Sequence, residues 1–355
     1  MLYFYFVIII IIILIIYKNG ESGRMNIESK KNNIILFGME NSLGLAKKIS
    51  QKTGIPLSGI ERIVYADGEV LLKSKETIRN STVFVIANTS RPVNENIMEL
   101  LIFIDSLKRG YAREIVVILS YYGYARQDRK SSGRQPITAK LIANLLEKAG
   151  VTKLILVDIH NPSIQGFFDI SVDELHGQYI LANELVGKNK DYIIVSPDHG
   201  GAVRARILAE ILGKQTNVAV IDKRRTGTNQ TEVLGLIGDV SGKDCVIIDD
   251  IIDTGGTIIN AANVVKNNGA KSVILAATHG VFSYGFEKFQ ENPNIDNVII
   301  TDSIENTKLA EKFSKLSITS LAEFLSKSIL ACIFSTSITS IYEETKQKLI
   351  EKNSN

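Results

Sequence analysis

The feature that most constrains the fold of this chain is a repeated alternation between short apolar runs and longer segments with helical periodicity. The apolar runs are rich in Ile, Val and Leu and are bounded by Gly, Asp or Asn. Such runs are typical of strands buried on both faces, as in a parallel sheet. Their alternation with helices predicts α/β layers joined by right-handed crossovers. The predicted strands are NIILFG, TVFVIA, EIVVILS and KLILVD in the first half and DYIIVS, NVAVID, DCVIIDD, KSVILAAT and NVIITD in the second.

Two such series predict two similar domains, each with a mainly parallel sheet flanked by helices. The length of 355 residues agrees, since a domain of ordinary size has about 150 residues. We place the first domain at residues 25–170 and the second at residues 171–342. An apolar extension, residues 1–24, precedes them, and a polar tail, residues 343–355, follows.

The extension contains an unbroken row of apolar and aromatic residues, Leu2–Tyr17. The row is shorter than the about 20 residues that span a bilayer, and it lacks the basic start and cleavage site of a secretory signal. Two interpretations remain: a translated upstream spacer in an A/T-rich genome, with Met25 as the true start, or a membrane anchor. We favour the first, and therefore expect no membrane partner.

Charge and cysteine content exclude several classes of protein. Lys and Arg exceed Asp and Glu by 41 − 38 = 3, so the overall charge indicates no nucleic-acid partner. The only cysteines, Cys245 and Cys332, exclude a disulfide framework and a cysteine-based zinc site. A reducing compartment such as the cytoplasm fits this usage.

The strongest local signal for chemistry is CVIIDDIIDTGGT, Cys245–Thr257. An apolar strand leads into Asp249 and Asp250, and a glycine-containing loop then opens a helix. Glycines allow backbone N–H groups to approach an anion, and the helix N-terminus adds a favourable dipole. A tight turn with a helix cap would also explain the loop. It would not explain two adjacent acids after a buried strand, so we favour a site for a sugar phosphate or a metal.

The segment DDIIDTGGT resembles the phosphoribosyl-diphosphate-binding motif of the type I phosphoribosyltransferase fold. Further segments extend the resemblance from about Ile34 to Tyr342. Together they are similar to the bacterial-like class of ribose-phosphate pyrophosphokinases. These segments are YADGE (Tyr65–Glu69), NENIMELLIFIDSLKR (Asn94–Arg109), YYGYARQDRK (Tyr121–Lys130), PITAKLIANLL (Pro136–Leu146), IQGFFDI (Ile164–Ile170), SPDHGG (Ser196–Gly201) and DKRR (Asp222–Arg225).

The resemblance implies transfer of the diphosphate of ATP to the C1 hydroxyl of ribose 5-phosphate, with magnesium as cofactor. It also implies a homo-oligomer, six subunits in many members of the family. The residues implied to bind ATP are Tyr65, Asp67, Gly68, Glu69, Arg126, Gln127 and Asp128. The implied magnesium ligands are His160 and Asp198.

The resemblance also implies catalytic roles for Lys223 and Arg225, two cations that neutralise charge around the transferred phosphorus. Arg225 is further implied to contact ribose 5-phosphate. The other residues implied to bind this substrate are Asp249, Asp250, Asp253, Thr254, Gly255, Gly256 and Thr257.

The chain departs from the family pattern directly after His160, where Asn161, Pro162 and Ser163 stand. This departure puts the geometry beside the metal ligand in doubt. Three alternatives stay open at this point: a nucleobase phosphoribosyltransferase, a regulatory relative without activity, and an α/β nucleotide-binding module. The first would not need YADGE, ARQDRK and DKRR together, and the second would not need an intact set of catalytic residues.

Overall fold

A computed structural model of the protein describes residues 33–186, 191–213, 218–227 and 230–354. Side chains are described throughout these ranges except at residues 223–234 and 353–354. The apolar row Leu2–Tyr17 and the alternative start Met25 lie outside the described residues. Within the described ranges, no helix is long and apolar enough to cross a membrane.

The first sheet has five strands, all parallel, in the order β1-β4-β5-β6-β7. Its strands are β1 (Ile34–Gly38), β4 (Thr82–Ala87), β5 (Glu114–Leu119), β6 (Lys153–Val157) and β7 (Ser171–Leu175). An antiparallel hairpin of β2 (Ile60–Val64) and β3 (Val70–Ser74) stands beside this sheet as a separate two-stranded unit.

The second sheet has seven strands in the order β10-β9-β8-β11-β12-β13-β14. All neighbouring pairs are parallel except β9 and β10, which are antiparallel. Its strands are β8 (Tyr192–Ser196), β9 (Val218–Gly227), β10 (Gln230–Ile237), β11 (Asp244–Ile252), β12 (Ser272–Gly280), β13 (Asn297–Thr301) and β14 (Leu316–Thr319).

Ten α-helices flank the sheets in the described part of the chain, and 3-10 turns lie at Glu40–Ser42 and Pro162–Phe167. The first half holds α1 (Leu43–Thr53), α2 (Val93–Arg109) and α3 (Thr138–Ala149). The second half holds α4 (Gln178–Leu185), α5 (Ala202–Ile211), α6 (Gly256–Asn267), α7 (Glu287–Glu291), α8 (Thr307–Lys312), α9 (Ala322–Phe334) and α10 (Thr339–Ser354).

Helices cover both faces of each sheet, which explains why the strands are continuously apolar. On the first sheet, α2 and α3 share one buried cluster with Val85 and Val117, and α1 and α9 share another with Phe84. On the second sheet, α6 packs in a cluster with Ile247, whereas α4 and α5 pack with Ile248 on the opposite face. The expected α/β class, with two similar sheets flanked by helices, is confirmed.

The two halves are joined more closely than a boundary after residue 170 suggests. Strand β7 lies beyond that boundary but pairs with β6 in the first sheet. Helix α9 follows the last strand of the second sheet, yet its Leu325 and Ile329 pack against Leu45 and Ile49 of α1. Strand β7 pairs with the edge of β6, and α9 covers an apolar face of the first sheet. The segment predicted as a polar tail continues helix α10, whose Leu349 is 1% exposed.

Candidate active site

The candidate site is built around the carboxyl end of β11, a central strand of the second sheet. Asp249 and Asp250 occupy this end, where ligands bind in open α/β sheets. The side chain of Asp250 is 5% exposed and that of Asp249 is 24% exposed. Burial and the neighbouring charge of Asp250 raise the pKa of Asp249 above its usual range. Two adjacent carboxylates in such a place need compensating positive charge.

His160 supplies part of that compensation from the first half of the chain. Its Nδ1 lies 2.8 Å from Oδ2 of Asp250. Burial opposes ionisation of Asp250, but the bond to His160 and the charge of Arg204 outweigh it and hold the pKa of Asp250 well below its usual range. The same bond raises the pKa of His160. Because Nδ1 faces an ionised carboxylate, Nε2 is the ring nitrogen left for another ligand.

Arg204, on α5, is a residue that sequence reasoning missed. Its Nη1 lies 3.3 Å from Oδ1 of Asp249 and 3.5 Å from Oδ1 of Asp250. Burial disfavours the charge of this guanidinium, but Asp250, Asp158, Asp249 and Asp198 outweigh burial and raise the pKa of Arg204. Arg204 and Arg206 both lie on this helix and resemble ordinary surface arginines, so no local sequence signal marks Arg204 as part of a site.

Asp198 lies just beyond the end of β8, the strand next to β11. One oxygen, Oδ1, accepts a hydrogen bond from the N–H of Gly201 at 3.0 Å. The side chain is half-buried, and its charge acts on Arg204. His199, the next residue, instead contacts Asp222, with Nε2 2.9 Å from Oδ1.

The donors of this region fit a magnesium ion bound together with phosphate oxygens. Mg²⁺ binds through few protein ligands and keeps several waters. Nε2 of His160 and the second carboxylate oxygen of Asp198 have no partner among the described hydrogen bonds and ion pairs. The buried, ionised carboxylate of Asp250 adds negative charge next to His160.

The predicted anion-binding loop follows β11 and ends where α6 begins at Gly256. Gly255 adopts a left-handed φ of +83°, and a Cβ there would lie 2.6 Å from Cζ of Phe289. Both facts favour glycine at this position. Helix α6 directs the positive end of its dipole at the loop formed by Asp253–Thr257, as an anion site requires.

The segment ARQDRK reaches this loop from the first half of the chain. Nη1 of Arg126 lies 2.8 Å from Oδ2 of Asp253, and the N–H of Ser283 donates to Oδ1 of Asp253 at 3.3 Å. Gln127 points elsewhere, since its Oε1 accepts from the hydroxyl of Thr138 at 2.6 Å. The predicted ATP segment and the predicted ribose-phosphate loop are thus in direct contact.

The departure after His160 has a structural role. The side-chain amide of Asn161 donates to Oδ2 of Asp128 at 2.5 Å, and its Oδ1 accepts from the N–H of Ser163 at 3.0 Å. Asn161 therefore caps the 3-10 turn at Pro162–Phe167 and connects the His160 loop to the ATP segment.

The loop Tyr65–Glu69 forms the tip of the β2–β3 hairpin. Its described hydrogen bonds are internal: Tyr65 N to Glu69 O, Gly68 N to Tyr65 O, and Glu69 N to Oδ1 of Asp67. Gly68 adopts a φ of +92°, which a residue with a side chain rarely tolerates. Tyr65 is 48% exposed. No described hydrogen bond joins this loop to Arg126, Gln127 or Asp128.

Lys223 and Arg225 lie in β9 and are opposite Val233 and Thr231 of β10. Their side chains lie outside the described part of the structure, so their predicted catalytic roles stay predictions. The antiparallel pair that carries them forms the edge of the second sheet.

Comparison with known proteins identifies the family. The model for the N-terminal domain of ribose phosphate pyrophosphokinase matches residues 34–150, and the model for the phosphoribosyl transferase domain matches residues 170–308. A ribose-phosphate pyrophosphokinase of Mycoplasmopsis pulmonis is 56% identical over 88% of this chain and 97% of its own length. The Bacillus subtilis protein of the same name is 47% identical over 81% of this chain and 90% of its own length.

A solved structure agrees with the sequence relatives. The crystal structure of phosphoribosylpyrophosphate synthetase from Mycobacterium smegmatis superimposes with a TM-score of 0.79 at 37% sequence identity. The match covers 86% of this chain and all of that chain. The resemblance stated from the sequence motifs is therefore confirmed: this chain belongs to the ribose-phosphate pyrophosphokinase family.

Proposed function

We propose that this protein is a ribose-phosphate diphosphokinase. It transfers the diphosphate of ATP to ribose 5-phosphate and releases 5-phosphoribosyl 1-diphosphate and AMP for nucleotide biosynthesis. The observation that carries the proposal is the identity of 43–56% to relatives of this name over 76–91% of the chain. That identity spans both halves, which a nucleobase phosphoribosyltransferase would not need.

The reaction forms a bond between the C1 oxygen of ribose 5-phosphate and the β-phosphorus of ATP. The bond between that phosphorus and the oxygen bridging to the α-phosphate breaks, AMP leaves with this oxygen, and the hydroxyl proton is released. Catalysis of such a transfer depends on positioning and on neutralising charge. We assign Lys223 to the transition state and Arg225 to contacts with the diphosphate or the ribose phosphate.

Ribose 5-phosphate binds at the end of β11 in this proposal. The 5-phosphate lies against the backbone of Asp253, Thr254, Gly255, Gly256 and Thr257, where the α6 dipole favours an anion. Asp249 and Asp250 accept hydrogen bonds from the ribose hydroxyls. Hydroxyl donors of the ribose favour the ionised form of Asp249, so binding of this substrate lowers the pKa that burial and Asp250 raise.

ATP lies between the two halves. We assign Arg126, Gln127 and Asp128 to one side of it, and the contact between Arg126 and Asp253 supports a position next to ribose 5-phosphate. The loop of Tyr65, Asp67, Gly68 and Glu69 is the second segment that we assign to the adenine. The ring of Tyr65 and the polar groups of this loop suit an adenine base. No described hydrogen bond joins the loop to the segment of Arg126, Gln127 and Asp128.

Magnesium is the proposed cofactor, with His160 and Asp198 as its protein ligands. When bound, it neutralises charge on the phosphate oxygens of ATP. Asp250 orients the imidazole of His160 through the 2.8 Å contact to Nδ1, so that Nε2 is free to coordinate. Neutral imidazole is required for coordination, and the raised pKa of His160 therefore makes metal binding weaker at low pH.

The proposal also includes a cytoplasmic enzyme and a homo-oligomer, six subunits by resemblance. The two cysteines, Cys245 and Cys332, are both free, which fits a reducing compartment. Light scattering coupled to size-exclusion chromatography measures the oligomeric state.

The decisive experiment measures AMP formation from ATP and ribose 5-phosphate in the presence of magnesium. We expect AMP and 5-phosphoribosyl 1-diphosphate in equal amounts, with neither formed when ribose 5-phosphate or magnesium is omitted. Release of ADP in place of AMP would contradict diphosphate transfer. The assay is run on the full-length protein and on a shorter protein that begins at Met25.

A further inference from the structure

Glu174 forms hydrogen bonds to the loop that carries His160. Neither the sequence motifs nor the proposed mechanism gives this residue a role. Glu174 lies in β7, opposite Leu156 of the neighbouring strand β6. The loop in question begins where β6 ends, at Asp158, and continues through the 3-10 turn at Pro162–Phe167. Glu174 is therefore beside the start of the loop, although it lies 15 residues after Ile159 in the chain.

Both oxygens of the Glu174 carboxylate bind this loop, one on each side of His160. Oε1 accepts a hydrogen bond from the backbone N–H of Ile159 at 3.1 Å. Oε2 accepts one from the side-chain amide Nε2 of Gln165 at 2.6 Å. One rigid strand thus holds the residue directly before His160 and the turn that follows it. Hydrogen bonds to an ionised carboxylate are shorter and stronger than those between neutral groups.

The backbone and the exposure of the loop show why these hydrogen bonds are needed. Asp158, at its start, adopts a left-handed φ of +39°, which is unfavourable for a residue other than glycine. The side chain of His160 is 42% exposed, and its described contact is the one between Nδ1 and Asp250. A half-exposed imidazole on a strained loop keeps one orientation only when the backbone on both sides is fixed.

A different reading would make Glu174 a metal ligand itself. Ligand atoms of Asp158, Glu174 and His176 lie within 4.8 Å of one another. However, Oδ2 of Asp158 already accepts from the N–H of Gly177 and from the hydroxyl of Thr278, and both oxygens of Glu174 are occupied as described. The positive charge of Arg204 also acts on all three residues. This cluster is therefore a hydrogen-bonded network that supports the loop.

We propose that Glu174 is a positioning residue for His160, which it holds in the orientation that presents Nε2 to magnesium. The inference rests on the proposed function, because it takes His160 as a magnesium ligand. Residues that orient a metal ligand typically change metal affinity by about 10- to 100-fold when they are lost.

The test compares Glu174→Ala with Glu174→Gln. Glutamine retains an acceptor for the N–H of Ile159, and its amide donates to Oε1 of Gln165 once the Gln165 amide turns over. The affinity for Mn²⁺, as a spectroscopic substitute for Mg²⁺, is measured by electron paramagnetic resonance on the protein with ATP. We expect affinity to fall about 10-fold in Glu174→Ala and about 2-fold or less in Glu174→Gln.

A second readout needs no metal. Amide hydrogen exchange of the segment from Ile159 to Gln165 is expected to accelerate in Glu174→Ala and to stay near native in Glu174→Gln. Asp173→Asn is the matched control, since Asp173 lies on the same strand but pairs with Lys153 at 2.7 Å, away from the loop. It should leave both Mn²⁺ affinity and exchange of this segment unchanged.

His160→Ala separates failure of the inference from failure of the proposed function. If His160→Ala lowers Mn²⁺ affinity and Glu174→Ala does not, the positioning role is wrong while the ligand assignment stands. If His160→Ala leaves Mn²⁺ affinity unchanged, the ligand assignment itself is wrong. Gln165→Ala replaces Glu174→Ala if the latter does not fold, and native Mn²⁺ affinity in Gln165→Ala would then overturn the inference.

Discussion

His160 and Asp250 are 90 residues apart in the chain, and their side chains meet with Nδ1 2.8 Å from Oδ2. This contact joins the loop after β6 of the first sheet to β11 of the second. It combines the predicted metal ligand with the predicted ribose-binding acid. Changing either residue should therefore alter the chemistry of the other.

Replacing Asp250 should be visible on His160. In Asp250→Asn the carboxylate that stabilises the imidazolium is gone, so the pKa of His160 should fall toward about 6.5. Nuclear magnetic resonance titration of the imidazole measures this shift. His176 serves as the internal control, because its raised pKa is due first to Asp158. An unchanged pKa of His160 would show that the contact is not made in solution.

Arg204 should be necessary for stability. Its side chain is 18% exposed, and removal leaves Asp249 and Asp250 without their nearest guanidinium. We expect Arg204→Met to lower the free energy of unfolding by about 3–5 kcal/mol, measured in urea. Arg204→Lys retains the charge and should lose clearly less. Equal losses in the two variants would mean that shape rather than charge matters at this position.

His279 should make the protein sensitive to acid. It is fully buried, and burial lowers its pKa, so the folded protein keeps it neutral. The unfolded chain binds a proton near about pH 6.5, and the folded protein does so only at lower pH. Stability should therefore fall as pH decreases below about 6.5, and it should be unaffected by His279 above that value.

The control for this prediction is His279→Gln, which cannot titrate. Urea unfolding at several pH values between about 5 and 8 should give a shallower pH dependence for the variant than for the native protein. The variant will be less stable overall, because Nε2 of His279 lies 3.1 Å from the carbonyl oxygens of Val157 and Asp158. An identical slope in both proteins would assign the acid sensitivity to other groups.

Gly255→Ala should weaken binding of ribose 5-phosphate. The Cβ of an alanine at this position would lie 2.6 Å from Cζ of Phe289, and the φ of +83° is unfavourable for any side chain, so the loop has to move. We expect a cost of about 1–3 kcal/mol, seen as an increased KM for ribose 5-phosphate with little change for ATP. Gly242→Ala is the matched control, since Gly242 also has a left-handed φ of +68° but open space around its Cβ position. If both variants have a similar KM for ribose 5-phosphate, the loop does not bind this substrate.

Lys223→Ala should slow the chemical step while leaving binding of ribose 5-phosphate largely intact. A cation that acts on the transition state contributes several kcal/mol, so kcat should fall by about 10²- to 10³-fold. Steady-state kinetics and a direct binding measurement with ribose 5-phosphate separate the two effects. Lys243→Ala is a control, because Lys243 is also a lysine of the second half but pairs with Asp191 at 3.9 Å. A native kcat in Lys223→Ala would refute the assignment.

Several elements could be predicted closely from the sequence. The predicted runs TVFVIA and NVIITD form strands at Thr82–Ala87 and Asn297–Thr301. Apolar periodicity is a local property, and both faces of these strands are buried as their composition indicates. The sequence does not predict strands β2, β3, β7, β10 and β14, because they lie at sheet edges or in the separate hairpin and mix polar with apolar residues.

The sequence by itself determined the α/β class, the family, and the loop of two acids and glycines at the end of β11. These features depend on residues that are neighbours in the chain. Only the tertiary structure decided which charges meet there: Arg204 reaches Asp249 across 45 residues, and Glu174 holds the backbone beside His160. Such contacts depend on strand order and on helix placement, which local patterns do not encode. A buried carboxylate stays ionised only when such partners compensate its charge, because burial alone favours the protonated form.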